Sequence, residues 1–296
     1  MGLRSWECFA EMTLICVLQL GTIDYSTGLR LQQKLVDLRK ENSIGDVLLV
    51  LEHPPVITLG RNARAANVIA SPGQLAERGV DLVECDRGGD VTFHGPGQLV
   101  GYPIFDLRGF DSAESNRKTL GVIAYVRRVE QVLIRTCADF GIATERIAGM
   151  TGVWTSHEAA EVRSSGTGED EGAHSGASQQ DSKIAAIGVH VSRSVTSHGF
   201  ALNVNTDLRF FDLIIPCGIA GKPVTSMERE LHKTIPLQEV AHSISRNFGV
   251  VFESHMLWLE SLDALLGGSV GVPMKPPPEL RKIHPQERQK EETFWA

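Results

Sequence analysis

Cys217 stands between a proline and a glycine at the end of the apolar run Leu213-Ile-Ile-Pro-Cys-Gly-Ile219, and a thiol so placed can serve as a nucleophile. Pro216 has no N–H to give a sheet, and Gly218 tolerates backbone conformations that other residues avoid, so regular structure must stop near Cys217. A side chain there can reach a substrate. The plainer reading of the same residues is a small apolar side chain at a strand end.

A second concentration of chemistry lies upstream. Four glycines fall within the twelve residues Arg87-Gly88-Gly89-Asp90-Val91-Thr92-Phe93-His94-Gly95-Pro96-Gly97-Gln98. Such a loop lets backbone approach a ligand closely. Arg87 could face a carboxylate or phosphate, His94 could give or take a proton, and Phe93 could wall an apolar pocket. A glycine-rich hairpin without a ligand is the alternative, and the run matches neither nucleotide-binding glycine signature. Lys183 is the third candidate, at the head of an apolar strand. A lysine beside a thiol favours the thiolate and lowers the cysteine from its free value of about 8.5. It could equally be a solvated strand end, since nothing in the spacing brings Lys183 to Cys217.

The elements that must position these groups follow from apolar periodicity. Met12–Leu20 has the composition of a buried strand, and a helix capped by Asp24 or Ser26 carries Leu31, Leu35 and Leu38 on one face. Asp46–Glu52 and Val56–Gly60 read as strands broken by His53-Pro-Pro55, followed by a short helix over Pro72–Gly79 and a strand over Val80–Cys85. Gln98–Phe105 is a further strand, with Pro103 favouring an edge or a bend. Asn116–Phe140 reads as an amphipathic helix with Leu120, Ile123, Val126, Val129, Val132 and Leu133 inward, Cys137 in its core and Gly141 as its stop. Gly152-Val-Trp154 begins a strand, and Lys183–Val191 and Gly199–Val204 form a neighbouring pair joined by a loop over Arg193–His198.

The 296 residues, 42% hydrophobic and 22% charged, suit a soluble globular chain with a sizeable core. Between Ser156 and Ser182, six acids face one base, a local balance of −5 within the net −7, amid Gly, Ser, Ala, Gln and Thr. That stretch cannot repay the entropy of ordering and is expected to be a disordered surface insertion. No apolar run approaches a membrane span. Glu7 and Glu11 interrupt the N-terminal apolar segment, so a signal peptide is not expected and the cytoplasm is. The five cysteines are scattered, and His94, His190 and His198 show no ligand spacing, so neither disulfides nor a metal site are expected.

The run Arg87 to Tyr102, the run Lys183-Ile-Ala-Ala-Ile-Gly-Val189 through His198-Gly-Phe-Ala-Leu-Asn-Val-Asn205, and Ile215-Pro-Cys-Gly-Ile219 together closely resemble the octanoyltransferases of lipoate biosynthesis. The resemblance covers roughly Leu14 to Leu266. It implies an α/β fold of the α+β type, a mixed sheet flanked by helices as in biotin and lipoate protein ligases; residues 1–272 read as one catalytic domain, and the first dozen residues, the insertion before Lys183 and the Pro-rich charged tail 273–296 depart from the family's pattern. By the same resemblance Cys217 is the acyl-accepting nucleophile and Lys183 the residue that lowers its pKa and moves protons. Arg87, Gly88, Gly89, Asp90, Val91, Thr92, Phe93 and His94, then Ala186, Ile187 and Gly188, then Gly199, Phe200 and Ala201 match the substrate-binding segments, with Val91, Phe93, Ile187 and Phe200 expected along an acyl tunnel. The implied donor is octanoyl-acyl carrier protein; the implied acceptors are lipoyl domains of 2-oxoacid dehydrogenases and the glycine cleavage H protein. No cofactor, nucleic acid or membrane is implied. A basic docking face is expected for these acidic partners, with Arg61, Arg64, Arg108 and Lys222 as candidates. An ATP-dependent lipoate or biotin-type ligase, and a non-catalytic acyl-carrier or lipoyl-domain binding module, are the rival readings.

Overall fold

Residues 13–110, 119–156, 181–216 and 222–265 are described by the structure, a computed structural model. Cys217, nearly all of the acidic 156–182 stretch and the 273–296 tail lie outside them.

Strand β1 (Thr13–Thr22) turns Ile15 and Val17 to one side and Leu18 to the other, the period of two that a sheet buried on both faces requires. Helix α1 (Tyr25–Lys40) follows at once. Asp24 caps it, its carboxylate accepting from the Thr27 N–H at 2.8 Å, and Leu31 and Leu35 are buried one turn apart. Strand β2 (Asp46–Glu52) is buried along nearly its whole length, as its unbroken apolar run predicts. The next strand, β3 (Val56–Leu59), leaves this sheet and forms a smaller one with β4 (Asp81–Glu84) and β5 (Val91–His94), in the order β4-β3-β5. Helix α2 (Pro72–Glu77), with a capping box between Ser71 and Gln74, links β3 to β4. The glycine-rich loop therefore spans β4 to β5 in the small sheet.

The main sheet is completed by β6 (Gln98–Ile104), β7 (Thr144–Ile147), β8 (Met150–Thr155), β9 (Lys183–Ser192), β10 (Val195–Asn203) and β11 (Ser254–Leu259), in the order β11-β1-β2-β6-β10-β9-β8-β7. It is mixed: β1 pairs in parallel with β2 and β11, and the remaining neighbours are antiparallel. One face packs on α1 through Leu18, Leu49, Val100 and Ala201. The other packs on α3 (Val122–Asp139) and α5 (Leu237–Val251), joined by Val129, Val132, Leu133, Phe200 and Phe248. Each such side chain, fully buried, contributes about 1.5–3 kcal/mol. Short helices α4 (Met227–Leu231) and α6 (Leu262–Leu265) flank α5 and β11.

Three expectations are corrected. Pro103 lies in an interior strand, not at an edge. It is tolerated because the β6–β10 ladder is interrupted there: Thr196 Oγ1 accepts from Phe105 N–H at 2.9 Å and donates to the Pro103 carbonyl at 2.7 Å, filling the gap that the missing N–H leaves. The long helix begins at Val122, capped by Gly121, and Ile123 is 80% exposed on its outer face while Tyr125 takes an inward place. The β9–β10 loop is only Arg193 and Ser194, both at positive φ, a two-residue turn whose backbone twist matches the flanking strands. Cys137 is core as expected. Beyond Ile219, where the sequence reading assigns no element, α5 and β11 supply a core helix and the parallel edge of the sheet.

Candidate active site

A cavity of about 500 Å³ lies between the glycine-rich loop and the middle of the main sheet, within the range of small-ligand sites. Its back wall is Val100 and Tyr102 of β6, Gly199 and Ala201 of β10, and Ala186 and Gly188 of β9. Thr92 and His94 close it from β5, Tyr25 from α1, and Lys183 and Met150 stand at its other end.

The loop reaches the sheet because both sides are glycine. Gly88 N–H donates to the Val189 carbonyl at 3.1 Å, and a Cβ built on Gly188 would stand 2.6 Å from the Gly88 carbonyl oxygen. Arg87 is committed inward: its guanidinium donates to Thr58 Oγ1 and the Thr58, Asp90 and Gly88 carbonyls at 2.6–3.1 Å. It borders the cavity, but its charge shapes the loop. Asp90 does likewise, accepting from Arg64 N–H, Val91 N–H and the Asn67 amide.

Strand parity corrects the tunnel expectation. Within β5, Thr92 and His94 face the cavity, so Val91 and Phe93 face away, into a third apolar cluster with Leu75 and Phe211, where Phe93 stacks on Phe210 at 4.8 Å. Phe200 borders the cavity, yet its ring lies against Gly101 and stacks with Phe248 in the helical core. Ile187 borders the cavity and packs on that same core. Of the four expected residues, Ile187 and Phe200 therefore border the cavity and Val91 and Phe93 do not; Tyr25, Val100, Tyr102, Met150, Ala186 and Ala201 supply the rest of its apolar lining.

His94 has a defined tautomer. Gln98 donates its amide N–H groups to the Phe93 carbonyl at 3.1 Å and Asn203 Oδ1 at 2.9 Å, and Asn203 in turn donates to the Thr225 carbonyl. Gln98 Oε1 must therefore accept from His94 Nδ1 at 2.7 Å, leaving Nε2 unprotonated. Burial, then the neighbouring His53 ring, hold His94 down at about 3, so the ring is neutral at physiological pH. His53, T-shaped to His94, donates from Nδ1 to the Ile23 carbonyl at 2.7 Å and accepts from the Tyr102 hydroxyl at 2.6 Å; burial lowers it to about 4.

Lys183 is 8% exposed, a rare burial for a lysine. Its Nζ lies 5.2 Å from the centre of the Trp154 ring, a cation–π contact. Its stem rests on Gly152: at φ +127 that residue leaves room for it, and an added Cβ would come within 2.6 Å of Lys183 Cε. Gly152 is held in turn by Glu130, a fully buried carboxylate of α3 that accepts its N–H at 3.2 Å and pairs with Arg127 and Arg146 at 2.8 and 3.0 Å. Glu130 is missed by the sequence reading; its only signal is a charge on the otherwise apolar face of α3.

The described residues on either side of Cys217 are both tied to this cavity. Before it, Ile215 N–H donates to the Asn67 carbonyl at 2.7 Å and Ile214 bridges to Val68. After it, the Pro223 carbonyl accepts from Lys183 N–H at 2.9 Å and Thr225 N–H donates to the Lys183 carbonyl at 3.0 Å. Asn67 and Lys183 line the same cavity. Among the basic candidates, Arg64 lines it, Arg61 precedes the lining residue Asn62, and Lys222 precedes Pro223, whose carbonyl is bonded to Lys183, whereas Arg108 is paired with Asp106 at 2.6 Å near the β9–β10 turn. Among the described residues no cluster could hold a metal ion, and no helix is long and apolar enough to cross a membrane.

Residues 24–249 match the family described as the lipoyl protein ligase A/B catalytic domain. The chain is 56% identical over 271 residues to an octanoyltransferase of Koribacter versatilis, covering 92% of this chain and 97% of that one. It is 55% identical to an octanoyltransferase of Acidobacterium capsulatum over 84% of this chain and 95% of the relative. In fold it is similar to a bipartite lipoate protein ligase of Thermoplasma acidophilum, at a TM-score of 0.58 and 13% identity over 84% of this chain and 87% of that one. A lipoate-protein ligase A solved with ATP gives 0.57 and 12% over 84% and 88%. The mixed, helix-flanked sheet expected from the sequence is thus shared with lipoate protein ligases, and at these identities the chain belongs to the octanoyltransferase family of acyltransferases, built on the lipoyl protein ligase A/B catalytic domain.

Proposed function

We propose that this protein moves an octanoyl group from octanoyl-acyl carrier protein to a lysine of lipoyl domains, in two steps through a thioester on Cys217, with residues 1–272 acting as one catalytic domain. The observation that carries the reading is the tethering just described: the chain leading into Cys217 is bonded to Asn67, the chain leading out of it to Lys183, and both line one cavity. The other described thiols offer no rival nucleophile. Burial pushes Cys137 up to about 12 and raises Cys16, and the Cys85 thiol is engaged with the Leu59 carbonyl.

In the first step the Cys217 thiolate attacks the donor's thioester carbonyl, a new C–S bond forms, the carrier's C–S bond breaks, and the carrier leaves as a thiolate that takes up a proton. In the second, an acceptor amine attacks the acyl-enzyme, a C–N bond forms, the Cys217 C–S bond breaks, and the amine's proton is removed. Lys183, as an ammonium, holds Cys217 ionised in the first step and gives its proton to the departing carrier thiolate; the neutral amine so formed receives the acceptor's proton in the second. The octanoyl chain lies along Val100, Tyr102, Ala186 and Ala201, gaining about 0.8 kcal/mol for each methylene buried. His94 Nε2, an acceptor by its tautomer, suits an N–H of the incoming amine. Arg64, which lines the cavity, together with Arg61 and Lys222, suits acidic macromolecular partners.

Intact-protein mass after mixing with octanoyl-acyl carrier protein tests the reading. One octanoyl added to the wild type and none to Cys217→Ala is expected. An unmodified wild type that still octanoylates a lipoyl domain, or does so from free octanoate and ATP, refutes the thioester.

A further inference from the structure

The cavity has a neighbour. A groove of about 470 Å³ lies between α1 and the β9–β10 hairpin, lined by Arg30, Lys40, Asp86 and His190 among others. One imidazole borders both spaces: His198, only 3% exposed, lines the acyl cavity on one side and this groove on the other. We propose that His198, clamped by Asp86, is the stop that limits acyl-chain length. The proposal rests on the acyl transfer proposed above.

His198 is held from three directions. Its Nε2 donates to Asp86 Oδ1 at 2.7 Å, its backbone N–H donates to Gln32 Oε1 of α1 at 2.7 Å, and it stays paired with Val189 of β9 at a φ of +56. On the groove side, His190 Nδ1 stands 2.6 Å from Asp86 Oδ2 without the alignment of a hydrogen bond. Burial alone would raise the Asp86 carboxyl; the His198 hydrogen bond and the two nearby rings hold it below its ordinary value, so the clamp is charged at neutral pH. With Nε2 carrying the proton, the buried His198 Nδ1 is a bare acceptor with no partner among the described residues, a poor surface for a methyl group to pass.

Distance agrees with this assignment. Val189, opposite His198, is six positions along β9 from Lys183, roughly 20 Å at about 3.3 Å per residue. After the reach of the lysine side chain and of a thioester, what remains suits a medium-length chain whose end meets the imidazole. A longer chain would have to push the ring off Asp86 into the groove beyond.

The test uses the full-length protein with octanoyl- and dodecanoyl-pantetheine, reading the rate of acyl loading by intact mass. His198→Gly removes the ring, and glycine accepts the positive φ without strain. Asp86→Ala removes the clamp at an exposed side chain, where folding is little disturbed. The dodecanoyl-to-octanoyl rate ratio should rise at least tenfold in His198→Gly and severalfold in Asp86→Ala. Folded variants that keep the wild-type ratio, or lose both donors equally, overturn the stop. A wild type that takes up neither donor overturns the acyl transfer itself and the stop with it, so the two failures are distinguishable.

Discussion

Replacing Gly152 by alanine tests how Lys183 is held. The substitution acts twice. At φ +127 an L residue is in a region that costs about 1–3 kcal/mol, and the new methyl would stand 2.6 Å from both the Ala185 carbonyl oxygen and Lys183 Cε, an overpacking worth about 1–3 kcal/mol more. The carbonyl belongs to the sheet and cannot yield, so the lysine stem must. A loss of about 4 kcal/mol, at roughly 2–4 °C for each kcal/mol, should lower the melting temperature by roughly 10 °C. Displacing the ammonium should also let the Cys217 thiol rise toward its free value of about 8.5, moving the pH midpoint of iodoacetamide alkylation upward. Gly149→Ala is the control, since Gly149 has φ +78 but open space around it; it should cost about 1–2 kcal/mol and leave the alkylation midpoint unchanged. A Gly152→Ala protein that melts within about 1 °C of wild type, with an unmoved midpoint, would refute the seating of Lys183 on Gly152.

Other consequences follow from the same packing. Glu130→Leu should destabilise by about 3 kcal/mol in urea titration, at the low end for breaking a buried pair because Arg127 and Arg146 keep access to water, while Glu130→Gln, which still accepts from Gly152, should recover most of the acyl-loading rate. His53 and His94 are neutral in the folded state and ordinary in the unfolded one, so the unfolded chain binds more protons once pH drops below about 6.5. Stability should therefore fall with pH down to about 4 for His53 and about 3 for His94, at about 1.4 kcal/mol per pH unit for each, and His53→Phe should reduce that slope between pH 6.5 and 4.5. Phe93→Ala should cost about 3–5 kcal/mol in thermal unfolding but leave acyl-chain preference unchanged, since the ring faces the third cluster. Ala186→Leu, inside the cavity, should instead cut octanoyl loading at least tenfold with little change in melting temperature.

Local patterns determined much of this protein. The alternation in β1 and the continuous apolar run of β2 specify a sheet covered on both faces, and an apolar helical stripe behind Asp24 or Ser26 specifies α1, with Asp24 proving to be the cap, because propensity, capping and periodicity are short-range. The glycine loop and Lys183 stood out in the sequence as candidates, though residue type alone favoured plainer readings, and the fold brings both to one cavity. What no local pattern could decide is which face of β5 meets the cavity: parity depends on the partner strand, so Phe93 and Val91 look like tunnel walls in the sequence and belong to another core in space. The same holds for Pro103, made tolerable by a threonine hydroxyl from β10, and for Glu130, whose carboxylate acts on Lys183 only through a glycine on a neighbouring strand. His198 and Asp86 are a hundred and twelve positions apart and become a clamp only when the small sheet docks on the large one. Chemistry confined to one segment is written in that segment; chemistry made between segments waits for long-range contacts to bring the groups within hydrogen-bond reach.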